Sequence, residues 1–194
     1  VPVRASEGHG LEPDALKKYL KPGLRVLVTC DTGISEFEGI RTAREAGLDV
    51  IITDHHNPPE SLPDAHAIIN PKLLPAGHPL GELAGVGVAY KLIQAVEREL
   101  HSGASLAQDL VALGTIADLA LLVDDNRYLV QCGLPLLSDT SRVGLKAVFQ
   151  SAGILPGTLN EETVGFTLAP RLNAAGRLAD ANRMVELLST DDAF

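Results

Sequence analysis

Along the first 82 residues the apolar positions fall in short unbroken runs, and from residue 83 onward they recur at helical spacing. LRVLVTC at 24–30 and LDVIITD at 48–54 are continuous β-rich runs of the kind buried on both faces of a parallel sheet. Between them, Ser35 and Glu38 make a capping box that predicts a helix running to about Ala46 and stopping at Gly47. Strand, helix and strand then form a crossover unit, which predicts two parallel strands and a right-handed connection. A short helix over 12–20, with Pro13 in its first turn, precedes the unit. A third, shorter strand is predicted over 66–71, and the rest of 57–82 is rich in Pro and Gly and reads as loop.

Helical periodicity takes over in AGVGVAYKLIQAVEREL from 84, LAQDLVALGTIADLALL from 106, NRYLVQCGLPLLS from 126 and VGLKAVFQSAG from 143. Asn160 is placed to cap a further helix with Glu161 and Glu162 in its first turn, and DANRMVELLST begins the last one. The predicted class is α/β: a Rossmann-like parallel sheet with flanking helices, followed by a helical subregion.

Composition supports that class. Hydrophobic residues make up 45% of the 194 and aromatics only 4%, so the core is expected to consist of Val, Leu, Ile and Ala. A net charge of −9 argues against gripping polyphosphate through bulk electrostatics, without excluding a nucleic-acid enzyme whose acids gather at a metal site. Cys30 and Cys132 form no CxxC pair or disulfide framework, which predicts a reduced, cytoplasmic protein with buried thiols. No apolar run approaches the ~20 residues that span a bilayer. The chain begins at Val1 without Met, as expected of a piece excised from something longer.

Candidate chemistry follows from topology. Ligands of parallel sheets bind beyond the carboxyl ends of the strands, and there the sequence places Asp31 after the first strand and Asp54, His55 and His56 after the second. Carboxylates mixed with imidazoles suit Mn²⁺, Fe²⁺ or Zn²⁺ better than Ca²⁺. Asp118, an acid in the apolar stretch ALGTIADLALL, needs a cation or donors beside it if buried. Each has a plainer explanation: a turn or cap for Asp31, solvated histidines in a loop, a helix-end cap for Asp118. Two sites on one sheet edge weigh against the plainer account. Gly85-Val86-Gly87 lacks the third glycine of a dinucleotide fingerprint, and close helix packing explains it more simply. Arg171, Asn173 and Arg177 in APRLNAAGR suit phosphate contacts or, equally, a surface helix end.

VTCDTG at 28–33, TDHH at 53–56, GTIAD at 114–118 and APRLNAAGR at 169–177, with VRASEGHGL near the start and LAGVGVAYKL at 83–92, together resemble the DHH phosphoesterase superfamily, and within it the single-strand-specific exonucleases. The resemblance covers essentially the whole chain. It implies a site for two divalent cations, Mn²⁺ or Mg²⁺, with Asp31 bridging them and His55 and Asp118 as ligands. His56 would contact the scissile phosphate or position the attacking water, and Asp54 would support the histidines. Arg171, Asn173 and Arg177 would hold the nucleic-acid backbone.

The implied activity is 5′ to 3′ degradation of single-stranded DNA in repair and recombination, with a repair helicase or single-strand-binding protein as a partner and no membrane. Residues 1–82 would be the C-terminal part of the α/β catalytic half, 83–178 its helical part, and 179–194 the start of a connector to a DHHA1 domain. The family's first motif, an Asp-x-Asp pair on a preceding strand, is not in the sequence. The chain alone is therefore expected to bind metal weakly and to have little nuclease activity. An oligoribonuclease or cyclic-dinucleotide phosphodiesterase of the same superfamily would share every metal residue, and a noncatalytic scaffold would keep only the fold.

Overall fold

A three-stranded parallel sheet in the order β1-β2-β3 positions the site. The structure, a computed structural model, describes residues 10–101, 107–155, 157–178 and 180–192, the side chains of 175–178 excepted. The elements run α1 (Pro13–Tyr19), β1 (Val26–Cys30), α2 (Phe37–Glu45), β2 (Asp49–Thr53) and β3 (Ala67–Ile69). Then come α3 (Gly85–Leu100), α4 (Gln108–Ala117), α5 (Asp124–Ser138) and α6 (Val143–Ala152). Last are α7 (Glu161–Thr163), a π-helical stretch (Val164–Leu168), α8 (Ala169–Leu178) and α9 (Asn182–Ser189). The predicted class is observed: parallel sheet, flanking helices, helical subregion.

One face of the sheet is sealed by α1 and α2. Ile40 and Ala43, three residues apart on α2, meet Val50 and Ile52 of β2, all fully buried, with Leu16 of α1 and Leu48 completing the cluster. Each of the Val, Leu and Ile side chains contributes about 1.5–3 kcal/mol by leaving water. The capping box does not form. Glu36, rather than Ser35, is the N-cap of α2, without a side-chain cap bond. Its carboxylate instead accepts the N–H of Leu11, tying the chain before α1 to the start of α2.

On the opposite face lies α3, whose Val88 and Tyr90, with Leu83 just before the helix, pack against Val111 of α4 and Leu129 of α5. Alternation puts Val26, Val28 and Cys30 of β1 on this face, and all three are exposed. The strand is therefore not buried on both faces, and the expectation of buried thiols fails at Cys30; Cys132 is only partly buried. Among the described residues β1 is an edge strand, with Val26, Val28 and Cys30 left exposed on this face.

Helices α4, α5 and α6 and the π-helical stretch share a second core of Leu113, Ile116, Val130, Leu137, Leu145, Phe149, Val164 and Leu168. Arg142 fastens it from outside. Its Nε lies 2.6 Å from Asp109 Oδ2 of α4, and its Nη1 donates to Leu188 O of α9 at 3.1 Å. Asn160 does cap the helix it precedes, Oδ1 accepting the Thr163 N–H at 2.8 Å. Among the described residues, no helix is long and apolar enough to cross a membrane.

Candidate metal centre

The β1–β2 ladder continues one residue past β1, where the Asp31 N–H donates to Thr53 O at 2.9 Å. Asp31 then turns into the left-handed region at φ 60°, which Asp tolerates better than most residues. Thr29 Oγ1 donates to Thr32 O at 2.6 Å, and Gly33, at φ 116°, completes the turn. A Cβ on Gly33 would press on the Thr29 side chain, so the tight DTG turn depends on glycine there. The turn leaves the Asp31 carboxylate at the carboxyl edge of the sheet.

Beyond β2, Asp54 is the organising group, its side chain 2% exposed. Oδ2 accepts the Ile34 N–H at 2.9 Å, so the Asp54 carboxylate holds the turn that follows Asp31. Oδ1 accepts the N–H groups of His55 and His56 at 2.8 and 3.2 Å and faces His56 Nδ1 at 2.7 Å. Burial alone would raise its pKa. The bonds from Ile34, the His56 ring and the two histidine N–H groups outweigh burial and hold the carboxyl below its ordinary value. An ionised carboxylate only accepts, so the proton of His56 sits on Nδ1 and Nε2 faces outward.

His55 is the convergence point. Its side chain is 19% exposed, with Nε2 3.0 Å from Asp31 Oδ1 and 3.7 Å from Asp118 Oδ2. The hydrogen bond to Asp31 raises its pKa against the opposing effect of burial, helped by the charges of Asp31, Asp118 and Asp54. Burial pushes the Asp118 carboxyl up, His55 opposes this, and the Asp31 charge adds to it. Ligand atoms of Asp31, His55 and His56 lie within 4.8 Å of one another. Two carboxylates gathered around one imidazole nitrogen, with a second imidazole beside it at 4.6 Å between ring centroids, fit a divalent cation.

Asp118 arrives from the helical half as the C-cap of α4. It is at once the cap that the plainer explanation required and a member of the cluster. A pocket of about 270 Å³ opens between Asp31 and Asp118, walled by Cys30, Gly85, Val86, Ala89 and Gly114.

Arg171 and Asn173 are exposed on α8, and Arg171 Nη1 donates to Thr167 O at 2.7 Å. Among the described contacts neither reaches the cluster. The side chain of Arg177 lies outside the described residues, as do residues 3–9 of the VRASEGHGL stretch. Sequence reasoning missed two buried amides. Asn70, after β3, donates to His56 O at 2.9 Å and accepts the Lys72 N–H at 2.8 Å. Asn126, in the first turn of α5, binds backbone groups of two loops. The signal for Asn70 was present: a polar residue between a strand and a proline has backbone to satisfy.

Parallel strands that deliver acid and imidazole to one edge, completed by an acid from the adjoining helices, define the class, and the profile of the DHH family, N-terminal domain, matches residues 4–115. The chain belongs to the DHH family. It is 47% identical over its full length to the single-stranded-DNA-specific exonuclease RecJ of Bacillus subtilis (strain 168), covering 24% of that protein. It is 37% identical to the protein of the same name from Thermus thermophilus, covering 28% of it. Among solved structures it resembles an exonuclease RecJ bound to manganese, with a TM-score of 0.85 and 36% identity over 99% of this chain and 48% of that one. The Thermus thermophilus RecJ in complex with Mn²⁺ gives a TM-score of 0.80 and 35% identity over 94% of this chain and 27% of that one. The chain thus spans about a quarter of the length of these curated relatives.

Proposed function

We propose that the chain supplies part of the catalytic centre of a metal-dependent exonuclease that hydrolyses single-stranded DNA from the 5′ end in repair and recombination, working with two divalent cations, Mn²⁺ or Mg²⁺. The observation that carries this reading is the placement of His55 Nε2 between Asp31 and Asp118 at the carboxyl edge of the sheet. The names of the relatives and the manganese in the related structures support the substrate and the metal.

In this reading Asp31 is shared between the cations, and His55 and Asp118 are ligands. Bound there, such cations neutralise nonbridging phosphate oxygens, acidify a water and stabilise a departing oxygen. Asp54 fixes the His56 tautomer and aims Nε2 at the phosphate or the attacking water. Asn70 holds the histidine loop from behind. Arg171, Asn173 and Arg177 take the backbone of the strand. Single-stranded DNA is the substrate, and a helicase or single-strand-binding protein that delivers it is the expected partner. Residues 1–82 are the C-terminal part of the α/β catalytic half, 83–178 the helical part of the DHH domain and 179–194 the start of a connector, and the chain alone holds metal weakly.

The test is digestion of a labelled single strand, with Mn²⁺, by the protein that carries this chain. Long single strands should shorten from the 5′ end and duplex should resist, while His55→Ala abolishes cleavage. Undiminished cleavage by that variant would sink the reading. A preference for di- or cyclic dinucleotides would reassign the enzyme within its family.

A further inference from the structure

Asn126 is 2% exposed, and its short carboxamide is committed to backbone. Oδ1 accepts the Ala84 N–H at 3.2 Å, while Nδ2 donates to Leu121 O at 3.0 Å and to Glu82 O. One side chain thus joins the segment entering α3 to the segment leaving Asp118.

Both segments end on metal-site carboxylates. Ala84 precedes Gly85, whose Cα lies against the Asp31 carboxylate so closely that any Cβ would overlap it. Leu121 follows Asp118 through Leu119, which holds the left-handed conformation at φ 57°. That conformation is costly for a residue with no polar side chain to offset it, so the reversal after Asp118 needs an outside restraint. The bond from Asn126 to Leu121 O supplies one. The Lys91–Asp125 pair at 3.1 Å binds α3 to α5 beside it.

From this we infer that Asn126 is a positioning residue for the metal centre: its amide sets the separation of Asp31 from Asp118, and so the spacing that a cation meets on either side of His55. The inference rests on the metal-centre reading above. Asn suits the position because it offers two donors and one acceptor on a short stem. Asp keeps the acceptor and loses both donors, facing two carbonyl oxygens with a carboxylate.

Mn²⁺ binding to the protein that carries this chain, followed by the electron paramagnetic resonance of free and bound ion up to millimolar metal, tests it without any turnover. Asn126→Asp should weaken Mn²⁺ binding about 10-fold, as the loss of groups that orient ligands does elsewhere. Arg142→Met, which breaks the Asp109 pair far from the cluster, serves as a variant with stability lost elsewhere and should leave Mn²⁺ binding unchanged. Asn126→Ser, which keeps one hydroxyl bond, should fall between wild type and Asn126→Asp and stands in if the latter does not fold. Equal Mn²⁺ affinity in wild type and the Asn126 variants overturns the inference alone. An equal fall in Arg142→Met also overturns it, since general loosening would then explain the loss. Absence of Mn²⁺ binding by the wild-type protein that carries this chain overturns the metal-centre reading and this inference together.

Discussion

Gly85 and Asp31, on different halves of the molecule, touch: a methyl group on Gly85 would overlap the Asp31 carboxylate. The first turn of α3 is therefore the wall against which an acid of the candidate metal centre rests. Gly85→Ala is expected to displace Asp31 and weaken Mn²⁺ binding while the far-ultraviolet circular dichroism stays native. Wild-type Mn²⁺ affinity in a folded Gly85→Ala protein would refute the contact.

Asp54 holds two turns at once, through Ile34 and through the histidines. In Asp54→Asn an amide that keeps oxygen toward the histidines turns NH₂ against the Ile34 N–H. Leaving that buried donor unmet costs about 2 kcal/mol, read as a lowered midpoint in urea. Because the folded carboxyl is held below its unfolded value, its contribution is present above the unfolded pKa and is lost as pH falls through the folded one. Acid sensitivity in that window should shrink in the variant.

The His55 imidazole is raised by Asp31 and its neighbours. In metal-free protein its contribution to stability is therefore complete below about pH 6.5, the unfolded value, and fades as pH rises through the higher folded one. Metal needs the neutral ring, so Mn²⁺ affinity runs the other way and increases with pH over the same interval. A nuclear magnetic resonance titration that found His55 losing its proton below about 6.5 would contradict this.

Far from the cluster, Asn160 Oδ1 accepts both the N–H and the hydroxyl of Thr163 at 2.8 Å. Asn160→Ala should cost about 1 kcal/mol, typical of an N-cap, and leave Mn²⁺ binding untouched. A change in metal affinity would mean that the π-helical stretch transmits strain to Asp118.

What sequence could reveal followed from order along the chain. Asp31 and Asp54-His55-His56 end consecutive parallel strands, so topology alone brings them to one edge. Asp118 could be seen as chemically odd but not placed, because its position depends on how α4 packs across α3. The capping box at Ser35 misled because Glu36 took the cap position and spent its carboxylate on Leu11, 25 residues away. The apolar run of β1 suggested burial on both faces, but what covers a strand is decided by elements elsewhere in the fold, not by the strand's own residues. Asn126 was invisible for the same reason: its partners are backbone groups 5 and more than 40 residues away.

The left-handed backbone at Asp31 also bears on how this carboxylate can be probed. Asn shares the tolerance of Asp for that conformation, so Asp31→Asn removes the charge and leaves the turn in place. Ala, Val or Glu at 31 would strain the DTG turn as well, and any loss they caused would mix geometry with ligation. Position 31 is one where backbone and chemistry can be separated, by Asn with the side chain's shape kept or by Gly with the side chain removed.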